Sequence, residues 1–201
     1  MRGPVPTTPF CALLIKALMS IKQLVSEEAK RPLSYEMLRD LVPPWVKVVT
    51  YDSLAKFKTL KAALGGKEMI VCLYQVHDRT SKKLKNMPGH FIVINARAKN
   101  QPVEYFSSSG WSPGKEIAVT HSDPNIFKRL LGKNFIYNSK PLEKLGDQNT
   151  CWRWVIARCI LGHLNLKSFQ RLFNQRFIPK DGDDIITLMT LLLTAEKDLD
   201  V

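Results

Sequence analysis

A short apolar run at residues 69–76 is the feature that most constrains the fold of this chain. Its length and residue types are typical of a strand that is buried in a sheet. A second apolar run begins at His90, and the turn Gln101-Pro102 separates it from a third predicted strand at 103–107. We expect the last two strands to form a hairpin-like pair.

Helical patterns surround these strands. Residues 10–30 predict an amphipathic helix, and Ser34 is a candidate N-cap for a short helix that ends at Leu41, before Pro43-Pro44. Further elements are predicted as helices at 123–131, 151–163, 166–175 and 183–195, and as a strand at 135–137. This alternation predicts an α+β domain with a central mixed β-sheet flanked by helices.

The chain shows no linker and no internal repeat, so we expect a single domain over residues 1–201, with residues 1–33 as an N-terminal helical extension. With 201 residues, 45% of them hydrophobic, it is long enough to bury one sizeable core. The first predicted helix contains Lys16 and is too short for a membrane span and atypical of a signal peptide. We therefore expect neither a membrane partner nor secretion, and Met19 is an alternative start to Met1.

The four cysteines, at positions 11, 72, 151 and 159, include no close pair such as C-x-x-C. Neither a disulfide framework nor a zinc site is indicated, and a reducing compartment is expected. Cys159 and His163 are one helical turn apart, but without two further ligands we expect both in the core. The aspartates within 181–184 precede a predicted helix, where carboxylates complement the helix dipole, so we expect capping rather than a cation site.

The charge balance favours an acidic partner. Thirty Lys and Arg residues stand against eighteen Asp and Glu residues, which gives a net charge of +12. Such an excess predicts polyanion binding, and contacts to DNA phosphates would be independent of sequence and sensitive to salt. The basic residues form three clusters: Lys56, Lys58, Lys61 and Lys67; Arg79, Lys82, Lys83 and Lys85; and Lys128, Arg129 and Lys133.

Cys151 is a candidate nucleophile because it opens a predicted apolar helix after the polar segment Asp147-Gln148-Asn149-Thr150, whose side chains can cap that helix. A helix N-terminus carries partial positive charge and unpaired N–H groups, so it stabilises a thiolate and can also hold an oxyanion. Along this helix we expect Arg153 and Arg158 to point outward.

His90 is the matching candidate base, since it opens an apolar strand. The strand at 103–107 ends in a serine-rich turn before Gly110. A histidine opening one strand, a second strand ending in a turn and a cysteine opening a helix can bring base, orienting group and nucleophile together from distant positions. The pattern favours a Cys-His hydrolase.

Three segments extend this pattern: Gly89-His90-Phe91, Tyr105-Phe106-Ser107-Ser108-Ser109-Gly110 and Asn149-Thr150-Cys151-Trp152-Arg153-Trp154-Val155. They resemble the G-H-[FW], F-D-S-x-G and N-T-C-G-R-[WY]-V motifs of adenovirus-protease-like, Ulp1-type cysteine proteases, especially those of virophages, Polinton-type elements and large DNA viruses. The resemblance covers roughly residues 34–175. It implies a papain-like, Ulp1-type fold with Cys151 as nucleophile and His90 as base.

The chain departs from this family at important positions. Ser107, 17 positions after His90, occupies the place of the acid, and its hydroxyl can orient the ring but brings no charge. Glu104 is the nearest carboxylate, but its odd offset puts it on the opposite face of the strand. Trp152 replaces a glycine and is expected to narrow the site. The family's oxyanion glutamine has no counterpart in register, so Gln148 is the local candidate and Lys144 an alternative donor.

Two functions remain open. The first is a thiol-dependent endopeptidase without a cofactor, which processes viral capsid and core precursor proteins during virion maturation, with DNA as a binding track. The resemblance implies a preference for small residues at the cleaved bond and a location in the virion and the virus factory of the host cell. The second is a catalytically impaired protease homologue that binds DNA or capsid proteins in the virion. The missing acid, glycine and glutamine favour the second, and the retained Cys151 and His90 favour the first.

Overall fold

The computed structural model describes residues 9–31, 33–75, 89–97, 101–144, 150–173 and 182–199. Its centre is a five-stranded sheet in which the strands follow one another in chain order. The strands are β1 (Val46–Thr50), β2 (Met69–Tyr74), β3 (His90–Asn95), β4 (Val103–Ser107) and β5 (Phe135–Tyr137). The outer pairs β1–β2 and β4–β5 are parallel, and β3 is antiparallel to both of its neighbours. The predicted α+β class, the mixed sheet and the β3–β4 pair are therefore confirmed.

Helices pack on both faces of this sheet. They are α1 (Pro9–Ala29), α2 (Tyr35–Leu41), α3 (Leu60–Leu64), α4 (Pro113–Thr120), α5 (Pro124–Leu131), α6 (Cys151–Ile160), α7 (Leu166–Phe173) and α8 (Gly182–Leu199), with a short 3-10 helix at Asp52–Lys56. The N-cap residues of α2 and α5 make the expected side-chain hydrogen bonds to the first turn of their helices. Ser34 accepts from the backbone N–H of Met37 at 3.2 Å, and Asp123 accepts from that of Asn125 at 2.9 Å.

The apolar run at β2 is continuous because both of its sides are covered. Ile70 and Cys72 pack into a cluster with α3 and α5, whereas Met69 and Val71 pack into a second cluster with α6 and α7. A strand that is buried on two faces has no solvent side, so it needs no polar alternation. The strand ends at Tyr74, earlier than predicted, and Val76 lies outside the described residues.

The two arginines of α6 correct one prediction, because both are buried rather than directed outward. Arg153 donates to the Glu28 backbone carbonyl at 2.8 Å and to the Glu28 carboxylate at 3.1 Å. Arg158 donates to the Glu104 carboxylate and, at 3.1 Å, to the Leu161 carbonyl. The helix lies between the sheet and α8, so it has no exposed side at these positions, and ion pairs compensate the buried charges.

The end of α6 gives a second correction. The helix stops at Ile160, short of the predicted position 163. Cys159 is fully buried as expected, but His163 lies beyond the helix and is exposed. The 3.6-residue period no longer applies after the last turn, so the spacing does not place His163 on the buried face.

The N-terminal helix is tied to the rest of the fold through its last turns. Val25 and Ala29 are buried, and α1 contacts α8. The indole N–H of Trp152 donates to the Arg31 carbonyl at 3.3 Å. The boundary of the extension at residue 33 stays a prediction. In the described part of the chain, no helix combines the length and the apolar character that a membrane crossing requires.

Candidate active site

Three buried side chains form a hydrogen-bonded chain at the first residue of β3. The Nε2 atom of His90 lies 3.2 Å from the Ser107 hydroxyl oxygen, and that hydroxyl donates to Oε1 of Glu116 at 2.7 Å. The same Oε1 lies 3.4 Å from His90 Nε2. The structure thus brings together the predicted pair His90 and Ser107 and adds a carboxylate, Glu116, that the sequence did not reveal.

The direction of these bonds fixes the tautomer of His90. Ser107 has a single hydroxyl proton and gives it to Glu116, so its oxygen accepts from the ring N–H of His90. The proton of the neutral ring is then on Nε2, and Nδ1 carries the free lone pair. Nδ1 is therefore the atom through which His90 can act as a base.

The hairpin holds Ser107 in place for this contact. Ile92 lies opposite Ser107 in the β3–β4 register, which puts His90 and Ser107 on the same face of the sheet. Asn138, just after β5, accepts from the Ser107 backbone N–H at 2.9 Å and donates to its carbonyl. The asparagine side chain thus extends the strand pairing at the residue where the ladder between β4 and β5 has ended.

Gly89 shows why the residue before His90 has to be small. Its φ angle is +106°, and a Cβ at this position would lie 2.5 Å from the Tyr74 carbonyl oxygen. Only glycine combines this backbone conformation with such a close approach to the neighbouring strand. Gly89 therefore sets the position from which the His90 side chain enters the site.

Glu116 comes from α4, which starts at the N-cap Ser112 with a proline at its first position. The helix packs next to α5, on the sheet face that carries His90 and Ser107. A lone glutamate near the start of a helix normally complements the helix dipole at the surface, so the sequence offers only a weak signal for a buried role. Only the docking of α4 on the sheet shows that this side chain is fully buried.

Burial shifts the pKa values of His90 and Glu116 in opposite directions. Desolvation lowers the pKa of His90 to about 4. Desolvation also raises the pKa of Glu116 to about 8, although the hydrogen bond from Ser107 opposes this shift. Within the described part of the structure, Glu116 Oε2 has no hydrogen-bond partner. A buried carboxyl with an unused oxygen and a raised pKa is typical of a functional group rather than of a structural one.

Cys151 lies at the N-terminus of α6 and is only partly buried. The backbone N–H groups of Phe91 and Trp152 are close enough to its sulfur to lower the pKa of the thiol. Phe91 is the residue next to His90, so the sulfur lies beside the start of β3. The pairing of Cys151 with His90 as nucleophile and base stays a prediction.

The acidity of Cys151 differs from the expectation for a helix N-terminus. Desolvation and the nearby carboxyl of Glu143 raise the pKa of the thiol to about 12, whereas a helix terminus alone would lower it. The N–H bonds from Phe91 and Trp152 oppose this shift without cancelling it. At rest the site holds a thiol rather than a thiolate.

The start of α6 is also capped differently from the prediction. Thr150 is the N-cap residue, but its side chain makes no capping bond and instead donates to Asp183 at 2.6 Å. The backbone N–H of Cys151 is close enough to the carboxyl of Glu143 to lower the pKa of that carboxyl. The candidate oxyanion donor Gln148 and the candidate caps at 147 and 149 lie outside the described residues.

Asp183 lies with Asp184 in the first turn of α8, as the predicted complement to the helix dipole requires, and it has a tertiary role as well. It is fully buried in the first turn of α8 and accepts from Trp154 Nε1 at 2.7 Å as well as from Thr150. It also accepts from the Lys144 backbone N–H at 2.9 Å. Three donors from the loop before α6 and from α6 itself therefore converge on one carboxylate and join α8 to the candidate site.

The side chains of Glu104 and Trp152 are directed away from the site. Glu104 accepts from Arg158 and from the Leu166 backbone N–H, so it does not replace the missing acid, in agreement with its predicted face. The ring of Trp152 is stacked by Arg153 at 4.0 Å and bonds to the Arg31 carbonyl. Its side chain is thus directed towards the N-terminal segment, where it packs the core instead of narrowing the site.

Two of the basic clusters meet at Phe57, beside the 3-10 helix. The ammonium groups of Lys47 and Lys56 lie 4.6 and 5.2 Å from the Phe57 ring centre. Arg129 of α5 donates to the carbonyl of Phe57 at 3.0 Å and to that of Ala55 at 2.8 Å. Residues far apart in sequence therefore build one basic surface, and the cluster at 79–85 lies outside the described residues.

Over the described ranges, no group of three or more His, Cys, Asp or Glu side chains is arranged to hold a metal ion.

Comparison with known proteins gives the chain a viral context. No protein-family model matches it. It is similar to a protein of Sputnik virophage named uncharacterized protein V9, with 24% identity over 159 residues that span 72% of this chain and 86% of the virophage protein. The chain is thus related to a virophage protein, and the relationship brings no activity with it.

Proposed function

We propose that this protein is a thiol-dependent endopeptidase in which Cys151 is the nucleophile and His90 is the base. The observation that carries the proposal is the hydrogen-bonded chain from His90 through Ser107 to Glu116, at the start of the strand beside which the Cys151 sulfur lies. Ser107 and Glu116 together take the place of the acid that the motif lacks. The serine orients the ring, and the carboxyl behind it accepts the serine proton and can ionise when the ring becomes charged.

The chemistry follows from the free lone pair on Nδ1. His90 accepts the Cys151 proton on Nδ1, and the sulfur attacks the carbonyl carbon of a peptide bond. The tetrahedral intermediate collapses when the C–N bond breaks and the leaving amine takes the proton from His90. Water then hydrolyses the thioester and restores the thiol. The imidazolium that forms between these steps lies 3.4 Å from the Glu116 carboxyl, so its charge favours loss of the Glu116 proton, and the resulting carboxylate stabilises the ring.

The virophage relationship supports a viral context for the protein. We propose viral capsid and core precursor proteins as substrates, cleaved in the virion or in the virus factory of the host cell. The preference for small residues around the cleaved bond rests on the motif resemblance alone.

The activation of Cys151 can be tested with iodoacetamide, which a thiolate alkylates by displacing iodide. Peptide mass spectrometry then gives a separate rate for each cysteine, and the buried Cys72 and Cys159 serve as internal references. We expect Cys151 to react fastest and its rate to fall at least about tenfold in His90→Ala, since a positioned base contributes factors of this size or more. A Cys151 rate that is indifferent to His90 contradicts the proposal.

Peptidase activity needs a separate measurement. A peptide library prepared from a digested proteome is incubated with wild-type protein and with Cys151→Ser, and new N-termini are identified by mass spectrometry. We expect cleavage with the wild type alone. Activated labelling without any cleavage would favour a different acyl-transfer reaction at the same thiol.

A second candidate function is polyanion binding, and the surface around Phe57 favours it. Lys56 and Lys128 are exposed, and Arg129 links their two elements through the Ala55 and Phe57 carbonyls. Such a surface fits the phosphate backbone of DNA without reading its sequence. It is compatible with an active protease and also with a catalytically impaired homologue that binds DNA in the virion.

This candidate is tested by fluorescence anisotropy with a labelled DNA duplex over a range of salt concentrations. The double variant Lys56→Gln/Lys128→Gln should weaken binding for every sequence and reduce the salt slope by about 1 for each lost phosphate contact. Lys167→Gln/Arg171→Gln on α7 is the control with the same change in charge and should retain the wild-type slope. Equal salt slopes for both double variants would show that the surface around Phe57 does not bind the DNA phosphates.

A further inference from the structure

The carboxyl of Glu143 lies at the N-terminus of α6, on the group that a hydrolase needs for the oxyanion. It accepts from the Ser108 hydroxyl at 2.5 Å, and its Oε1 lies 3.4 Å from the hydroxyl oxygen of Thr150, whose proton goes to Asp183. The backbone N–H of Cys151 is close enough to lower the pKa of the carboxyl. These contacts place the carboxyl beside the nucleophile.

This position has two chemical consequences for the site. An oxyanion that forms on the substrate has to accept hydrogen bonds from N–H groups beside the nucleophile, and the Glu143 carboxyl lies beside that of Cys151. A negative charge at this place also disfavours a thiolate, and Glu143 is among the causes of the raised pKa of Cys151. An ionised Glu143 therefore opposes both steps of the chemistry, whereas a neutral carboxyl opposes neither by charge.

We propose that Glu143 is a proton-controlled latch on the active site, which inhibits Cys151 when it is ionised and releases it when it is protonated or displaced by substrate. The inference rests on the proposed function, because it concerns the same thiol. It assigns to a residue eight positions before Cys151 the control of the oxyanion side of the site.

The surroundings of Glu143 allow it to change its charge near neutral pH. Desolvation, opposed by the bonds from Ser108, Thr150 and Cys151, and the neighbouring Asp183 together raise its pKa to about 7. The titratable groups that face it within the described residues are Asp183 from α8, Cys151 from α6 and Glu116 from α4, whose pKa Glu143 raises in turn. Asp183 and Glu116 are negative when ionised, so they favour the protonated form of Glu143.

The test compares the iodoacetamide rate of Cys151 in wild type and in Glu143→Gln between pH 6 and pH 8.5. Glutamine keeps an acceptor for the Cys151 N–H and cannot ionise. We expect equal rates at pH 6 and a variant that becomes about threefold faster at pH 8.5. A thiol pKa lower by one unit gives about ten times more thiolate, and the lower nucleophilicity of that thiolate cancels part of the gain.

Two further variants make the result unambiguous. Glu68→Gln removes an exposed glutamate that is paired with Arg97 at 3.1 Å, and it should follow the wild-type profile. Ser108→Ala removes the shortest bond to the Glu143 carboxylate, so the wild-type inflection should move to higher pH. A rate ratio of Glu143→Gln to wild type that is constant with pH overturns the latch. If His90→Ala still slows the labelling in that case, the proposed function survives and only the latch fails.

Discussion

The two ends of the β3–β4 hairpin carry two buried polar networks of different character. At one end, both oxygens of Glu104 are used, with Asn95 and Arg158 on Oε2 and the Leu166 N–H on Oε1. At the other end, Glu116 accepts from Ser107 through one oxygen, and its second oxygen has no partner among the described residues. In the first network the positive charge of Arg158 compensates the carboxylate of Glu104. In the second network the Ser107 hydroxyl lies between the His90 ring and the Glu116 carboxyl.

The difference separates structural from chemical use of the same residue type. Glu104, whose two oxygens are both bonded, pairs with Arg158 and holds α6 against the sheet. The under-bonded carboxyl of Glu116 keeps a pKa of about 8 and lies 3.4 Å from a histidine. Buried groups of this kind occur where a fold has to move protons.

The largest effect is expected from breaking the structural network. Glu104→Gln leaves Arg158 buried without its counter-charge and should lower the free energy of unfolding by about 3–5 kcal/mol. Urea denaturation measures this loss. The rate of Cys151 labelling in the folded fraction should stay close to wild type, and a large drop in that rate would show that the two networks are coupled.

A smaller loss is expected where the hairpin positions His90. In Gly89→Ala the new methyl group would meet the Tyr74 carbonyl at 2.5 Å, so β3 has to shift. We expect about 2 kcal/mol of destabilisation, within the usual range for such strain, together with slower labelling of Cys151. Gly114→Ala in α4 is the matched control, because a Cβ there meets nothing within 4 Å. It should be neutral or slightly stabilising, as alanine is the better helix former.

The raised pKa of Glu116 predicts a pH dependence of the free energy of unfolding. The folded protein keeps the Glu116 proton up to a pKa of about 8, whereas the unfolded chain loses it in the ordinary range of a glutamate. Stability therefore falls as the pH rises between these limits, by up to about 1.4 kcal/mol per pH unit. Glu116→Gln should remove this contribution, so its unfolding free energy should fall less than that of wild type between pH 6 and pH 7. Parallel curves for the two proteins would mean that Glu116 has no raised pKa.

The smallest effect is expected at the surface. Glu68→Gln breaks the 3.1 Å pair with Arg97, in which both side chains are more than 40% exposed. Its unfolding free energy should change by less than about 1 kcal/mol at moderate salt. This value sets the baseline against which the loss in Glu104→Gln is read.

Short-range patterns account for the parts that the sequence predicted well. The N-caps Ser34 and Asp123 make bonds within three residues, and β4 and β5 have the predicted bounds because hydrophobic runs and turn residues delimit them. The likeness of three motifs to a protease family singled out His90, Ser107 and Cys151. In the fold, His90 bonds to Ser107, and the Cys151 sulfur lies beside the same strand.

The sequence alone therefore determined the strands β2 to β5, most of the helices and the candidate pair of base and nucleophile, because periodicity, caps and turns act over a few residues, whereas β1 was not predicted. The tertiary structure decided which charged group meets which: Arg158 with Glu104, Glu116 behind Ser107 and Glu143 beside the N–H of Cys151. A glutamate in a sequence looks the same whether it will be solvated, paired or isolated. Its surroundings and hence its pKa follow from the docking of elements that are distant in the chain, and this docking has no local signature.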